Sequence, residues 1–146
     1  MSRKTRIEND NKKRSFVLYI AVLIAIMIFI FIQSAFPATV SRQESGLVVK
    51  LLENVFGWSP DNAAFIVRKT GHFLEYLVLG VVLCLTTRNF GKKRSVPFWI
   101  PWAVGTVFAV TDEIHQYFVP GRSCELRDVV IDGCGVAVGV LIVREM

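Results

Sequence analysis

Residues 16–32 read FVLYIAVLIAIMIFIFI, a run with no charge, proline or glycine. As a helix rising ~1.5 Å per residue it covers ~26 Å, close to the thickness of a bilayer core. A helix apolar on every side must be buried in protein or in lipid. With only 146 residues in the chain, lipid is the simpler answer. A signal peptide is the competing reading, because basic residues precede the run and Ser34, Ala35 and Ala38 follow it. The run is long for that role and Pro37 sits awkwardly for cleavage, so an uncleaved first span is expected.

The remainder of the chain agrees. It is 53% hydrophobic with a mean hydropathy of +0.48, more apolar than a soluble domain of this size normally is. The expected organisation is a basic cytoplasmic tail at 1–15, poorly ordered, a membrane domain at 16–143, and a short cytoplasmic tail at 144–146. Downstream of the first run, Leu47, Val48, Leu51, Leu52, Val55 and Phe56 recur at helical spacing between Lys50, Glu53 and Asn54. This is a short amphipathic helix, read either as lying in the membrane interface or as an ordinary packed connector. Ser59-Pro60-Asp61 then opens a second long helix with a capping hydroxyl, a proline at the first helical position and an acid in the first turn. It passes through Arg68, Lys69 and His72 into the apolar stretch 73–87. A third span is expected from Pro97 or Phe98 towards Phe118, a turn at Pro120-Gly121, and a fourth span from Arg127 to Val143. The fold class expected is therefore an all-α membrane protein, four transmembrane helices in a bundle, with the amphipathic helix between spans one and two.

Net charge is +5, but its distribution argues against nucleic acid as a partner. Arg3, Lys4, Arg6, Lys12, Lys13 and Arg14 precede the first run, and Arg88, Lys92, Lys93 and Arg94 lie between spans two and three. With Arg144 these stand on one side of a four-span topology; Arg42, Lys50, Arg68, Lys69, Arg122 and Arg127 stand on the other. The excess places both termini in the cytoplasm. Cys84, Cys124 and Cys134 include no Cys-x-x-Cys pair and read as packing residues, neither a disulfide framework nor a zinc site.

In that topology three polar clusters meet at the outer face. Lys69-x-x-His72-x-x-Glu75-Tyr76 lies on span two, and Asp112-Glu113-x-x-Gln116 on span three. Pro120-Gly121-Arg122, Arg127-Asp128 and Asp132 follow on the turn and on span four. Asp128, Asp132, Gly135 and Gly139 form one stripe, and Gly135-x-x-x-Gly139 lets a neighbouring helix approach closely. Ionisable groups at such depth pair with one another or serve a function. Lys69, His72, Tyr76, Asp112, Glu113, Gln116, Arg122, Arg127, Asp128 and Asp132 are the candidate ligand-binding residues. Arg122 after Pro-Gly is placed to fork onto a carboxylate or phosphate. The alternative is a purely structural network that clips the helices together. His72 with Glu75 or Glu113 is the weak catalytic candidate. A metal held by His72, Glu113, His115 and Asp128 has no matching motif, and neither a metal nor a cofactor is expected.

Taken in order, these motifs resemble those of the VanZ-like family of small bacterial membrane proteins, over roughly residues 16–143. The resemblance implies a four-span, multi-pass protein of the bacterial cell membrane, typically of Gram-positive bacteria, and brings membrane lipid, a cell-wall precursor or a glycopeptide forward as partners. The founding member is associated with low-level teicoplanin resistance, a form of antibiotic resistance, without a settled biochemical mechanism. Three functions stand side by side. One is a non-enzymatic cell-envelope protein whose outward pocket binds an anionic lipid or precursor group. The second is an intramembrane hydrolase or transferase acting on an envelope lipid. The third is a structural or partner-binding membrane protein.

Overall fold

The computed structural model describes residues 3–37, 46–90, 96–122 and 124–146, and among them every regular element is a helix. Ala38, Arg42, Lys92, Lys93 and Arg94, used in the readings of cleavage and orientation, lie outside the described residues. Five helices follow in chain order: α1 Arg3–Ala35, α2 Gly46–Phe56, α3 Pro60–Phe90, α4 Trp99–Tyr117 and α5 Leu126–Glu145.

The amino-terminal expectation needs correction. The helix begins at Arg3, not at the apolar boundary near Phe16. No proline or glycine interrupts residues 3–35, and Lys, Arg and Glu are good helix formers, so the apolar run propagates its helix backwards through the basic segment. Pro37 follows the carboxy-terminal end, where helices commonly stop. The start of α3 is as read: the Ser59 hydroxyl accepts the Asn62 N–H at 3.4 Å, with Pro60 and Asp61 in the first turn. Gly57 closes α2 with φ +64°, its N–H donating to the Glu53 carbonyl at 2.9 Å. That left-handed position is cheap for glycine alone.

Two helices, Asn11–Ala35 and Pro60–Asn89, are long and apolar enough to cross a membrane by length and composition. Of the four spans expected, these are the two that meet that measure. Large apolar side chains nevertheless stand exposed on all four long helices: Ile24 and Ile28 on α1, Leu74 and Val78 on α3, Val104 and Val107 on α4, Leu141 and Ile142 on α5. The amphipathic α2 packs against α3 through the buried Val49 and leaves Leu47, Leu51 and Val55 exposed.

The most extensive packing is between α3 and α5. Lys69 meets Asp128, His72 faces Asp132, and Gly135 and Gly139 lie against the backbone at Phe73 and Leu77. Residue numbers rise together along this contact, so the two helices run parallel. An ideal Cβ at Gly139 would stand 2.1 Å from the Leu77 carbonyl oxygen, and one at Gly80 2.3 Å from that of Val136. Only hydrogen at these positions permits so close an approach, the packing mode expected where lipid gives no hydrophobic drive between helices. On α4, Gly105 meets Val136, and the Trp102 indole N–H donates to the Gly133 carbonyl at 3.2 Å. Tyr76, Leu79, Leu83, Ala109, Val136, Val140 and Ile30 form the core between the helices. The carboxy-terminal ends of α1 and α4 and the amino-terminal parts of α3 and α5 thus gather at one end of the bundle. At the opposite end, Arg144 on α5 donates to the Val96 carbonyl at 3.3 Å.

Candidate functional site

Polar side chains from all four long helices collect at the gathered end. Lys69, two turns into α3, forms an ion pair with Asp128 in the first turn of α5. The pair is largely shielded from solvent, with side-chain exposures of 9% and 17%. Phe65 lies beside it, its ring centroid 5.2 Å from the Lys69 ammonium and 5.1 Å from the Arg127 guanidinium. Arg127 itself is exposed and bonds to Glu125 at 2.7 Å.

A second network ties α1 to α4. Ser34 Oγ donates to Asp112 Oδ1 at 2.5 Å, and Gln116 Nε2 donates to Asp112 Oδ2 at 3.0 Å. Asp112 is fully buried and Ser34 almost so, so each bond to this carboxyl replaces water that has been excluded. Such bonds to a charged group are worth ~1.5–3 kcal/mol. Arg122 continues the chain: Nη1 donates to Gln116 Oε1 at 3.1 Å, Nε to the Phe36 carbonyl at 3.0 Å and Nη2 to the Gln33 carbonyl at 3.2 Å. The Gln33 carbonyl, at the end of α1, accepts the Phe36 N–H at 3.4 Å, and the guanidinium adds a second donor that caps it. Gly121, at φ +77°, makes the turn that aims Arg122 back at α1. The sequence reading, a fork for carboxylate or phosphate, did not see this capping role. Partial burial and the nearby Arg68 lower the Arg122 pKa, while Asp112, Glu113 and Glu75 raise it.

Glu113 caps a helix as well. Its Oε1 accepts the Glu125 backbone N–H at 2.7 Å, at the amino-terminal end of α5. An acid there suits the helix dipole. The partner of His72 also differs from the expectation: the acid facing Nδ1 is Asp132, at 4.0 Å, while Glu113 is engaged with α5. His115 stacks on Phe31 of α1, ring centroids 4.1 Å apart. The four residues considered for a metal therefore do not converge, and no three His, Cys, Asp or Glu side chains among the described residues form such a group.

Several buried polar atoms in this region have no hydrogen-bond partner among the described residues: His72 Nδ1, Glu113 Oε2 and both oxygens of Asp132. Asp132 and Glu113 are 1% and 2% exposed. Leaving such groups unsatisfied costs ~1–3 kcal/mol each.

Of the ten candidate ligand-binding residues, nine belong to these linked networks or border them. Arg127 stands outside, at the surface beside Phe65. Two contributors escaped the sequence reading. Ser34 was visible only as a small residue after an apolar run, and Phe65 only as one apolar residue among several. The register that puts Ser34 opposite Asp112 depends on contacts 78 residues apart, and no local pattern carries it.

A family model described as VanZ/LLP1 matches residues 16–146. No curated protein and no solved structure matches the chain.

Proposed function

The chain belongs to the VanZ/LLP1 family, and from that premise we propose an envelope membrane protein whose polar helix ends bind an anionic group. In this reading the protein spans the bacterial membrane four times with both termini cytoplasmic, as the Lys and Arg distribution requires. The gathered end then faces outward as a pocket for an anionic lipid or cell-wall precursor group. The observation that carries the proposal is the gathering of Arg68, Lys69 and Arg122 with the amino-terminal turn of α5 at one end of the bundle. Arg68, Lys69 and Arg122 give the mouth its basic character, and the amino-terminal turn of α5 adds a partial positive charge there. Reduced sensitivity to teicoplanin-type glycopeptides is the cellular consequence proposed for such binding.

Orientation is tested with Cys124, which is exposed beside the site. A membrane-impermeant thiol reagent applied to intact cells labels Cys124 if the site faces outward. Labelling only after permeabilisation reverses the topology and removes the proposal.

Ligand class is tested on purified protein in a neutral detergent, titrated with short-chain phosphatidylglycerol and, as the blank, diacylglycerol. Phosphatidylglycerol is expected to bind above the blank. The Arg68→Ala variant, which leaves the α1 cap untouched, is expected to weaken it ~10-fold, about 1.4 kcal/mol. Equal binding to wild type and variant rejects the basic mouth as an anion site. Expressed at matched membrane levels in a Gram-positive host, the variant is expected to lose whatever teicoplanin protection the wild type confers.

A further inference from the structure

Resting on that reading and deepening it, we infer that the group bound at this site carries a primary ammonium as well as its phosphate. The reason is a mismatch of hydrogen-bonding capacity inside the cluster. Glu75, Asp112, Glu113 and Asp128 lie within electrostatic reach of Asp132, and Arg68, Lys69 and Arg122 stand with them, while Arg127 is taken by Glu125 at the surface. Lys69 is engaged by Asp128. Asp112 has a donor on each oxygen, from Ser34 and from Gln116, both neutral. Arg122 points three of its N–H groups at two carbonyls and an amide oxygen.

What remains is a surplus of acceptors. Asp132 has two oxygens without a donor and Glu113 has one, although both side chains are almost wholly buried. Asp132 lies within electrostatic reach of Asp112, Asp128, Glu113 and Glu75, so its own surroundings are acidic. His72 Nδ1 stands 4.0 Å from Asp132 Oδ1, too far for a direct hydrogen bond and close enough for one donor to bridge. A carboxylate that is buried and unpaired is strongly disfavoured, so such an acid either holds a proton or meets a cation.

Ligand chemistries separate cleanly against these requirements. A bare phosphate adds negative charge and more acceptors to a cluster that already has too many. A hydroxyl supplies one donor and no charge. A quaternary ammonium supplies charge and no N–H. A primary ammonium supplies three donors and one positive charge, enough for the two Asp132 oxygens and for His72 Nδ1, 4.0 Å from one of them. Its phosphate, one short linker away, would then lie at the basic mouth.

The test titrates the purified full-length protein in maltoside micelles with short-chain phosphatidylethanolamine, phosphatidylcholine and phosphatidylglycerol of equal acyl length, with diacylglycerol as the blank. Phosphatidylethanolamine is expected to bind at least ~10-fold more tightly than either of the others, the scale of one charge-assisted contact. In Asp132→Asn the ratio of phosphatidylethanolamine to phosphatidylcholine affinity is expected to fall ~10-fold, to near one. Thermal melting of each variant establishes that it is folded, and where Asp132→Asn does not fold, His72→Gln decides through loss of the same preference. Equal binding of the ethanolamine and choline lipids overturns the inference, as does a preference that persists in the folded variants. Phosphatidylglycerol bound as tightly as phosphatidylethanolamine also overturns it, while leaving the anion-binding reading intact. If no phospholipid binds above diacylglycerol, both fall together.

Discussion

Asp128→Asn is expected to destabilise the protein by about 3–5 kcal/mol, and Lys69→Met to do the same, while the double variant Lys69→Met/Asp128→Leu loses far less than their sum. The pair joins the amino-terminal parts of α3 and α5 and is largely shielded. Removing one partner leaves the other charged with no counter-ion in a region where water is scarce. Removing both replaces an ion pair with apolar side chains of similar size, often a nearly neutral exchange. The measurement is a double-mutant cycle on unfolding in mixed micelles with rising SDS. Single variants within ~1 kcal/mol of wild type would mean that the pair behaves as an ordinary surface bridge. The same cycle separates structure from function: a folded double variant that no longer binds the anionic ligand would assign Lys69 to binding as well as to packing.

Gly139→Leu is the second large effect. The added Cβ would begin 2.1 Å from the Leu77 carbonyl oxygen and 2.8 Å from the Val81 nitrogen. Both are backbone atoms, so no rotamer change relieves the clash and α3 and α5 must separate. Overpacking a tight interface costs ~1–3 kcal/mol and at times more. Here the interface is the most extensive in the bundle, and a loss of about 3 kcal/mol or above is expected, read as reduced melting temperature and membrane yield. Gly71, also on α3, is the control. A Cβ there meets nothing within 4 Å, so Gly71→Ala is expected to stabilise the helix by ~0.5–1 kcal/mol. Equal effects at the two glycines would show that close approach does not hold this bundle together.

The elements themselves were legible because each is specified locally. The run at 16–32 has no breaker, Ser59-Pro60-Asp61 carries its own start signal, and Pro120-Gly121 marks a turn at which φ is positive. The one misjudged boundary, the start of α1, arose because charge was read as disorder. A basic segment without proline or glycine can continue a helix whose nucleation is already secured downstream.

The candidate site was legible as a set of residues and not as a set of partners. Charged groups at helix ends in a strongly apolar chain stand out because their burial is expensive, which is why Lys69, Asp112, Asp128 and Asp132 could be picked without coordinates. Spacing places them on a stripe, but it is silent on rotation between helices. That His72 faces Asp132 and not Glu75 or Glu113, that Ser34 serves Asp112, and that Arg122 caps α1 all depend on how the helices turn toward one another. Helix type, ends and polar stripes follow from interactions within a few residues, so the sequence alone determined them. Pairing across the bundle follows from the close approach at Gly80, Gly135 and Gly139, which sets the rotation of α3 against α5, and only the tertiary structure decided it.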